Sequence, residues 1–279
     1  MEASKKSAYE TGTENPRINT LIKTSLSEKK VTVIGLGGGG EIALHLLRSG
    51  IVKQNLIDND ILESGNLVRH ICGSRFIGNN KAFAVKELLD EYAGNQVSSI
   101  NAYDWNIFDN RTLFYNLIHE SDVVVCATDT DSSRYFINEV CIELRKPAIF
   151  VSMFEKGAGG EIFTYIPDFA CYCCLADHGE RKDFLKKYSE TTDKKDCSSA
   201  RDVSAAPGIG IDQSFLCSIA ARKALDVLLA DVEHSLPPVG TNWILWSLFG
   251  IANVIDKHLS SMLIMLEKQK DCIICNQGQ

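Results

Sequence analysis

An α/β fold built on a doubly wound, Rossmann-like and mostly parallel sheet is predicted by three features of the 279-residue sequence. Short β-branched runs alternate with segments of helical spacing. The run at 122–127 is apolar at every position after Asp122, as a strand buried on both faces of a parallel sheet must be. A burst of glycines at Gly35, Gly37, Gly38 and Gly40 stands between the first strand pattern and the first helix pattern.

The elements follow in order. Residues 1–28 are polar, carry Pro16 and Arg17, and read as an N-terminal arm. Residues 29–279 read as one domain. Its first strand is expected at 30–35 and its first helix at 39–50, with Gly50 as C-cap. A second strand at 55–58 ends on Asp58, and 61–80 lacks a clean period and reads as a long structured loop. Helices are expected at 81–89, 111–119, 132–144 and 212–229, and strands at 97–102, 122–127, 147–152 and 161–165. Residues 175–205 are charged and Ser/Thr-rich and read as a mobile crossing loop. The apolar stretch 243–255 suits a buried or amphipathic helix, and the tail closes at 271–276.

Composition narrows the function. With 36 acidic and 29 basic residues the net charge is -7, and the basic stripe of a nucleic-acid binder is missing. No apolar run is long enough for a membrane span. The N-terminus, Met-Glu-Ala-Ser-Lys-Lys, has no apolar core, so a cytoplasmic location is expected. In a reducing compartment the pairs Cys171/Cys174 and Cys272/Cys275 suit a closed four-thiolate zinc site that ties the tail to the sheet. Cys126, Cys141 and Cys217 lie in core patterns.

The glycine turn places a helix N-terminus over an anion. Its spacing also satisfies a dinucleotide fingerprint, and with Asp58 it keeps an NAD-dependent oxidoreductase as a competing reading. Arg69 and Lys81 favour a triphosphate, because a nicotinamide site needs neither. Asp129, at the carboxyl end of a central strand, is placed to hold Mg2+.

Gly-x-Gly-Gly-x-Gly, the pair Asp58 and Asp60, Ser-x-Asn66-Leu-x-Arg69, Lys81-Ala, the strand-end Thr-Asp129 and the paired Cys-x-x-Cys occur in one order. In that order the sequence resembles the ubiquitin-activating-like adenylyltransferases of the ThiF/MoeB (HesA/MoeB/ThiF) type. The resemblance implies ATP- and Mg2+-dependent adenylation of the C-terminal glycine of a small ubiquitin-like or sulfur-carrier protein ending in Gly-Gly, with release of pyrophosphate. It also implies a homodimer. The glycines Gly35, Gly37, Gly38 and Gly40 would approach the phosphates and Asp58, with Asp60 beside it, would hold the ribose. Asn66, Arg69 and Lys81 would neutralise phosphate charge, while Asp129, followed by Thr130, would place the metal.

Cys197, between Lys194-Lys195 and a Gly/Pro turn, stands where relatives often carry a cysteine and is a candidate acceptor after adenylation. Arg17 is a candidate for reaching a partner subunit's ATP site. Three residues depart from the family pattern: His70 replaces a usual Gln, Thr130 replaces a usual Asn, and Gly65 precedes Asn66. A non-catalytic partner subunit of such an enzyme is the remaining alternative.

Overall fold

The computed structural model describes residues 18, 20–94, 98–154, 159–192, 208–248, 255 and 257–276. The candidates Arg17 and Cys197 lie outside the described residues. The chain begins its sheet with β1 (Lys30–Ile34), then α1 (Leu36–Arg48), β2 (Lys53–Ile57), α2 (Lys81–Ala93) and β3 (Ser99–Tyr103). There follow α3 (Arg111–His119), β4 (Val123–Cys126), α4 (Asp131–Glu143), β5 (Ala148–Met153) and β6 (Gly159–Tyr165). The last third holds α5 (Tyr172–Ala176), α6 (Gly179–Thr192), α7 (Gly210–Leu228), β7 (Trp243–Ser247) and β8 (Ser260–Ile264).

These strands form one eight-stranded sheet in the order β3-β2-β1-β4-β5-β6-β7-β8. The first five pair in parallel and the last three antiparallel. Strand order reverses at β1, so a crevice opens at the carboxyl ends of β1 and β4, where open α/β sheets bind ligands. Alternation along β1 sorts the core into two layers. Val31 and Val33 pack with α1, α2 and α7 on one face. Ile34 packs with Phe114, Phe136 and Tyr172 of α3, α4 and α5 on the other. Buried Thr32 is satisfied by the Ser121 hydroxyl at 2.7 Å and by the Asn55 side-chain amide, which donates to it at 3.1 Å.

The glycine segment differs from expectation. The helix starts at Leu36 rather than 39, so Gly37 to Gly40 lie inside its first turns. Only Gly35, at φ 81°, makes the turn itself. Glycine inside a helix costs about 1 kcal/mol relative to alanine. Two of these glycines are required by packing: a Cβ on Gly39 would stand 2.9 Å from Val33 Cγ1, and one on Gly40 3.0 Å from Val85 Cγ2.

Other expectations are corrected. The stretch 243–255 does not open as a helix; Trp243–Ser247 is a strand between β6 and β8. A strand covered on both faces is apolar at every position, and periodicity cannot separate it from a buried helix. The first half of the crossing loop is helix α6, and 193–205 lies outside the described residues. The loop 61–80 is present, pinned by a bridge between Ile61 and Asn80 and by 3₁₀ turns at Ser64–Val68 and Ser74–Phe76. Ile22 and Leu26, within the arm, are buried in the core. Among the described residues no helix is long and apolar enough to cross a membrane.

Candidate functional site

The carboxyl ends of β1, β2, β4 and β5 and the start of β6 border an open cleft of about 730 Å³. Its near wall is the turn into α1. Asp58, at the end of β2, accepts the Leu36 N–H at 2.6 Å on one oxygen and the Asp60 N–H at 2.8 Å on the other. The carboxylate thus fixes the start of α1 at the positive end of its dipole. Burial raises the Asp58 pKa, and the two backbone hydrogen bonds oppose that shift. Gly37 borders the cleft with nothing within 4 Å of where its Cβ would be. Gly38 borders it too, but its Cβ would point at Cys217 Sγ, 3.2 Å away on α7.

The cations arrive from the loop and helix after β2. Lys81 opens α2 and pairs with Asp60 at 2.8 Å. Its helix is capped by Asn80, whose Oδ1 accepts from the Ala82 N–H at 2.8 Å while its Nδ2 donates to the Asp58 carbonyl at 2.8 Å. Arg69 ends the 3₁₀ turn and borders the cleft, and Gln213 of α7 donates to its carbonyl at 2.9 Å. His70 beside it is buried, with its pKa lowered to about 4 by desolvation and by the Lys81 charge. Its Nδ1 accepts from the Cys72 N–H at 3.1 Å, which fixes the neutral ring.

The far wall comes from the β4–α4 junction. Asp129 is exposed on the cleft, and among the described residues its carboxylate has no ion-pair or hydrogen-bond partner. Thr130 caps α4 through its hydroxyl, which accepts from the Ser133 N–H at 3.4 Å. The cleft therefore brings together Gly35, Gly37, Gly38, Asp58, Asp60, Arg69, Lys81, Asp129 and Thr130. Gly40 and Asn66 do not border it. Gly40 faces Val85 and Ile71, and the Asn66 Oδ1 accepts from the Glu63 N–H at 2.9 Å in a capping box.

Sequence reasoning missed several wall residues. Arg134 donates to the Thr128 carbonyl from Nη2 at 2.7 Å and so braces the Asp129 turn. Its place one turn into α4 was the available signal. Trp105 and Phe108 in the β3–α3 connection border the β2 side, and Phe108 meets Phe136 at 5.1 Å between centroids. Glu161 of β6 and Arg181 of α6 form a buried ion pair on the opposite side. Arg181 was hidden in a segment read as loop.

The four predicted metal cysteines do converge, away from this cleft. Sγ–Sγ distances are 3.9 Å for Cys171–Cys174, 3.7 Å for Cys171–Cys272 and 3.6 Å for Cys174–Cys275, and all four atoms lie within 4.8 Å of one another. The edge of a zinc–thiolate tetrahedron is about 3.8 Å, from a Zn–S bond near 2.3 Å. Disulfides would draw pairs to about 2.05 Å. The hydrogen bond with the Cys171 thiol, and then burial, push the Cys174 thiol up to about 12, a penalty that a bound dication would reverse. Cys173 points elsewhere and accepts from Asn138 Nδ2 at 3.4 Å. Cys126, Cys141 and Cys217 are buried, as expected.

The family model of the ThiF family matches residues 13–245. A probable molybdopterin-synthase adenylyltransferase from Porphyra purpurea is 28% identical over 220 residues, which cover 77% of this chain and 52% of that protein. The adenylyltransferase and sulfurtransferase MOCS3 of Dictyostelium discoideum is 31% identical over 163 residues, covering 57% of this chain and 37% of that protein. This chain thus spans about half the length, or less, of these curated relatives. Among solved structures, E. coli MccB with ATP superposes with a TM-score of 0.63 at 19% identity, over 90% of this chain and 67% of that one. PaaA superposes with a TM-score of 0.65 at 19% identity, over 86% and 74%. At these identities the likeness concerns the fold.

Proposed function

The chain belongs to the ThiF family, and from that premise we propose that it is an ATP- and Mg2+-dependent adenylyltransferase. Its proposed substrate is the C-terminal glycine of a small ubiquitin-like or sulfur-carrier protein. The observation that carries the reading is the convergence of Arg69, Lys81 and the exposed carboxylate of Asp129 on one cleft floored by the N-terminus of α1. A triphosphate needs cations and a metal ligand in that arrangement.

In this reading the carboxylate of the carrier attacks the α-phosphate and pyrophosphate leaves. No protein nucleophile is required, so the residues act by positioning and by stabilising charge. Asp58 holds the start of α1 and keeps lone pairs for ribose hydroxyls. Gly37 leaves room for phosphate oxygens. Arg69 and Lys81 neutralise the phosphates, Lys81 by exchanging its Asp60 partner for the nucleotide. Asp129 would hold Mg2+, a hard cation suited to a carboxylate oxygen, and the ion would supply charge stabilisation for the leaving pyrophosphate. Phe108 and Ile107 offer the apolar wall for the base.

The four cysteines are proposed to hold a structural Zn2+ with no open position. Cys197 is proposed as an acceptor of the activated carrier, and a homodimer is the proposed assembly. The test is pyrophosphate exchange with the purified chain, Mg2+, ATP and a peptide ending in Gly-Gly. Exchange lost by more than a hundredfold in Asp129→Asn is the expected result; tight binding of NAD without ATP binding would sink the reading. Cys197→Ala should keep exchange and lose any covalent carrier adduct.

A further inference from the structure

One charged pair borders the cleft without a part in handling the nucleotide. Glu161 and Arg181 are 3% and 11% exposed at their side chains. Arg181 Nη2 donates to Glu161 Oε1 at 2.5 Å, and its Nε donates to Oε2 at 3.0 Å. Glu161 sits opposite Ser152 in the β5–β6 ladder, level with the carboxyl end of β5. The order of strands therefore lays out the cleft. Asp58 and Phe108 lie on the β2–β3 side, the glycine turn and Asp129 at β1 and β4, and Glu161 with Arg181 beyond β5. A nucleotide with its base at one end and its phosphates at the glycine turn leaves the β5–β6 end to the acyl substrate.

The pair's surroundings are apolar: Val151, Met153, Phe154 and Leu185 border the same end. Two charges taken out of water are costly, and a well-packed apolar pair of the same volume generally fills such a place at least as stably. An ion pair here gains its justification from what it presents. Arg181 spends Nε and Nη2 on Glu161, and among the described residues its guanidinium has no other acceptor. A guanidinium carries five N–H donors, so donors remain for the cleft, beside carboxylate oxygens that can accept more. A donor and an acceptor side by side match the C=O and N–H of one residue in an extended chain, which point to the same side, whereas those of a single trans peptide bond point apart.

We propose that Glu161 and Arg181 are the recognition element of the acyl subsite, Arg181 donating to the carbonyl oxygen and Glu161 accepting from the N–H of the substrate's penultimate residue. The inference rests on the adenylation reading and deepens it: the site takes a peptidyl carboxylate in preference to a simple carboxylic acid. These are specificity residues, one step away from the reacting atoms.

The test uses a synthetic peptide ending in Gly-Gly and its ester analogue, in which oxygen replaces the N–H of the penultimate residue. Binding to the full chain is measured by calorimetry in the presence of Mg2+ and a non-hydrolysable ATP analogue, and exchange is measured with ATP. The wild-type chain should bind the ester at least tenfold more weakly than the amide. The double variant Glu161→Met/Arg181→Met should keep its nucleotide affinity, lose at least tenfold in peptide affinity and no longer distinguish ester from amide. Arg181→Lys, which keeps the charge and loses the fork, should lose peptide affinity in the same sense and covers the case in which the double variant does not fold. Unchanged discrimination in the double variant, unchanged peptide affinity in Arg181→Lys, or nucleotide affinity falling in step with peptide affinity, would overturn the inference and leave the pair as a strut for α6. Peptide binding with discrimination but no exchange would uphold the inference and remove the adenylation reading. Exchange with small carboxylic acids as efficient as with peptides would overturn the inference alone, and binding of neither peptide nor ester would overturn both.

Discussion

Gly37 and Gly38 are chain neighbours with opposite surroundings, and a single methyl group tells them apart. At Gly37 a side chain would enter the open cleft, whereas at Gly38 it would press on Cys217 and Gln213 of α7. Gly37→Val is expected to fold with near-normal stability and to lose ATP affinity by at least tenfold, read by calorimetry. Gly38→Val is expected to lower the melting temperature as well, because overpacking in a close-packed contact costs about 1–3 kcal/mol. From sequence the four glycines looked equivalent; what separates them is the helix start at Leu36, which rotates each toward a different neighbour. His70 supplies a second residue-scale prediction. Its folded pKa of about 4 lies below the ordinary 6.5, through burial first and the Lys81 charge second. A base whose folded pKa is depressed gives stability that is complete above the unfolded pKa and is lost as pH falls from there toward the folded value. Linkage puts the loss between pH 7 and pH 5 at about 2 kcal/mol. Urea midpoints at the two pH values should diverge for the wild-type chain and converge for His70→Gln.

At the scale of elements, the cysteine-bearing tail and the last strands show what a sequence conveys and what it conceals. The Cys-x-x-Cys pairs were legible because thiolate chemistry fixes their spacing, and the four sulfurs meet as expected. The strand at Trp243–Ser247 was not, because burial on both faces removes the alternation that marks a strand, and its partner β8 is a half-exposed edge with little pattern of its own. Helix α6 was concealed by charge: a low-apolar helix has almost no periodicity to read, yet Phe184 and Arg181 anchor it on the sheet. The cysteine site joins the short helix α5 to the segment after β8, a separation of 101 residues. Removing the proposed metal should therefore loosen the tail and leave the cleft intact. Metal analysis of the purified chain should find one zinc per chain. Cys272→Ser should lose it, with a fall in melting temperature on the order of 10 °C, from a few kcal/mol of lost stability. ATP affinity should stay within about twofold; a tenfold loss would mean that the tail shapes the nucleotide site.

Across the whole molecule, the part of the site written in the local chain was readable, and the part made by assembly was not. Asp58, Lys81 and Asp129 follow strands or open helices at fixed offsets, so the fold brings them together once the strand order is known. Glu161 and Arg181 meet only because β6 runs antiparallel and α6 returns over it. The same distinction applies beyond a single chain. If the arm of one protomer supplies Arg17 to the ATP site of the other, a site is complete only in the dimer, and two lesions can complement. Arg17→Ala chains lack the donated group, and Asp129→Asn chains lack the metal ligand in their own cleft. In a heterodimer of the two, one cleft carries both lesions and the other carries neither. Random reassortment of equal amounts gives half heterodimers with one intact site each, so pyrophosphate exchange should return to about a quarter of the wild-type rate. Exchange that stays at the level of the separate variants, with heterodimers demonstrated by native mass spectrometry, would place Arg17 outside the partner's site.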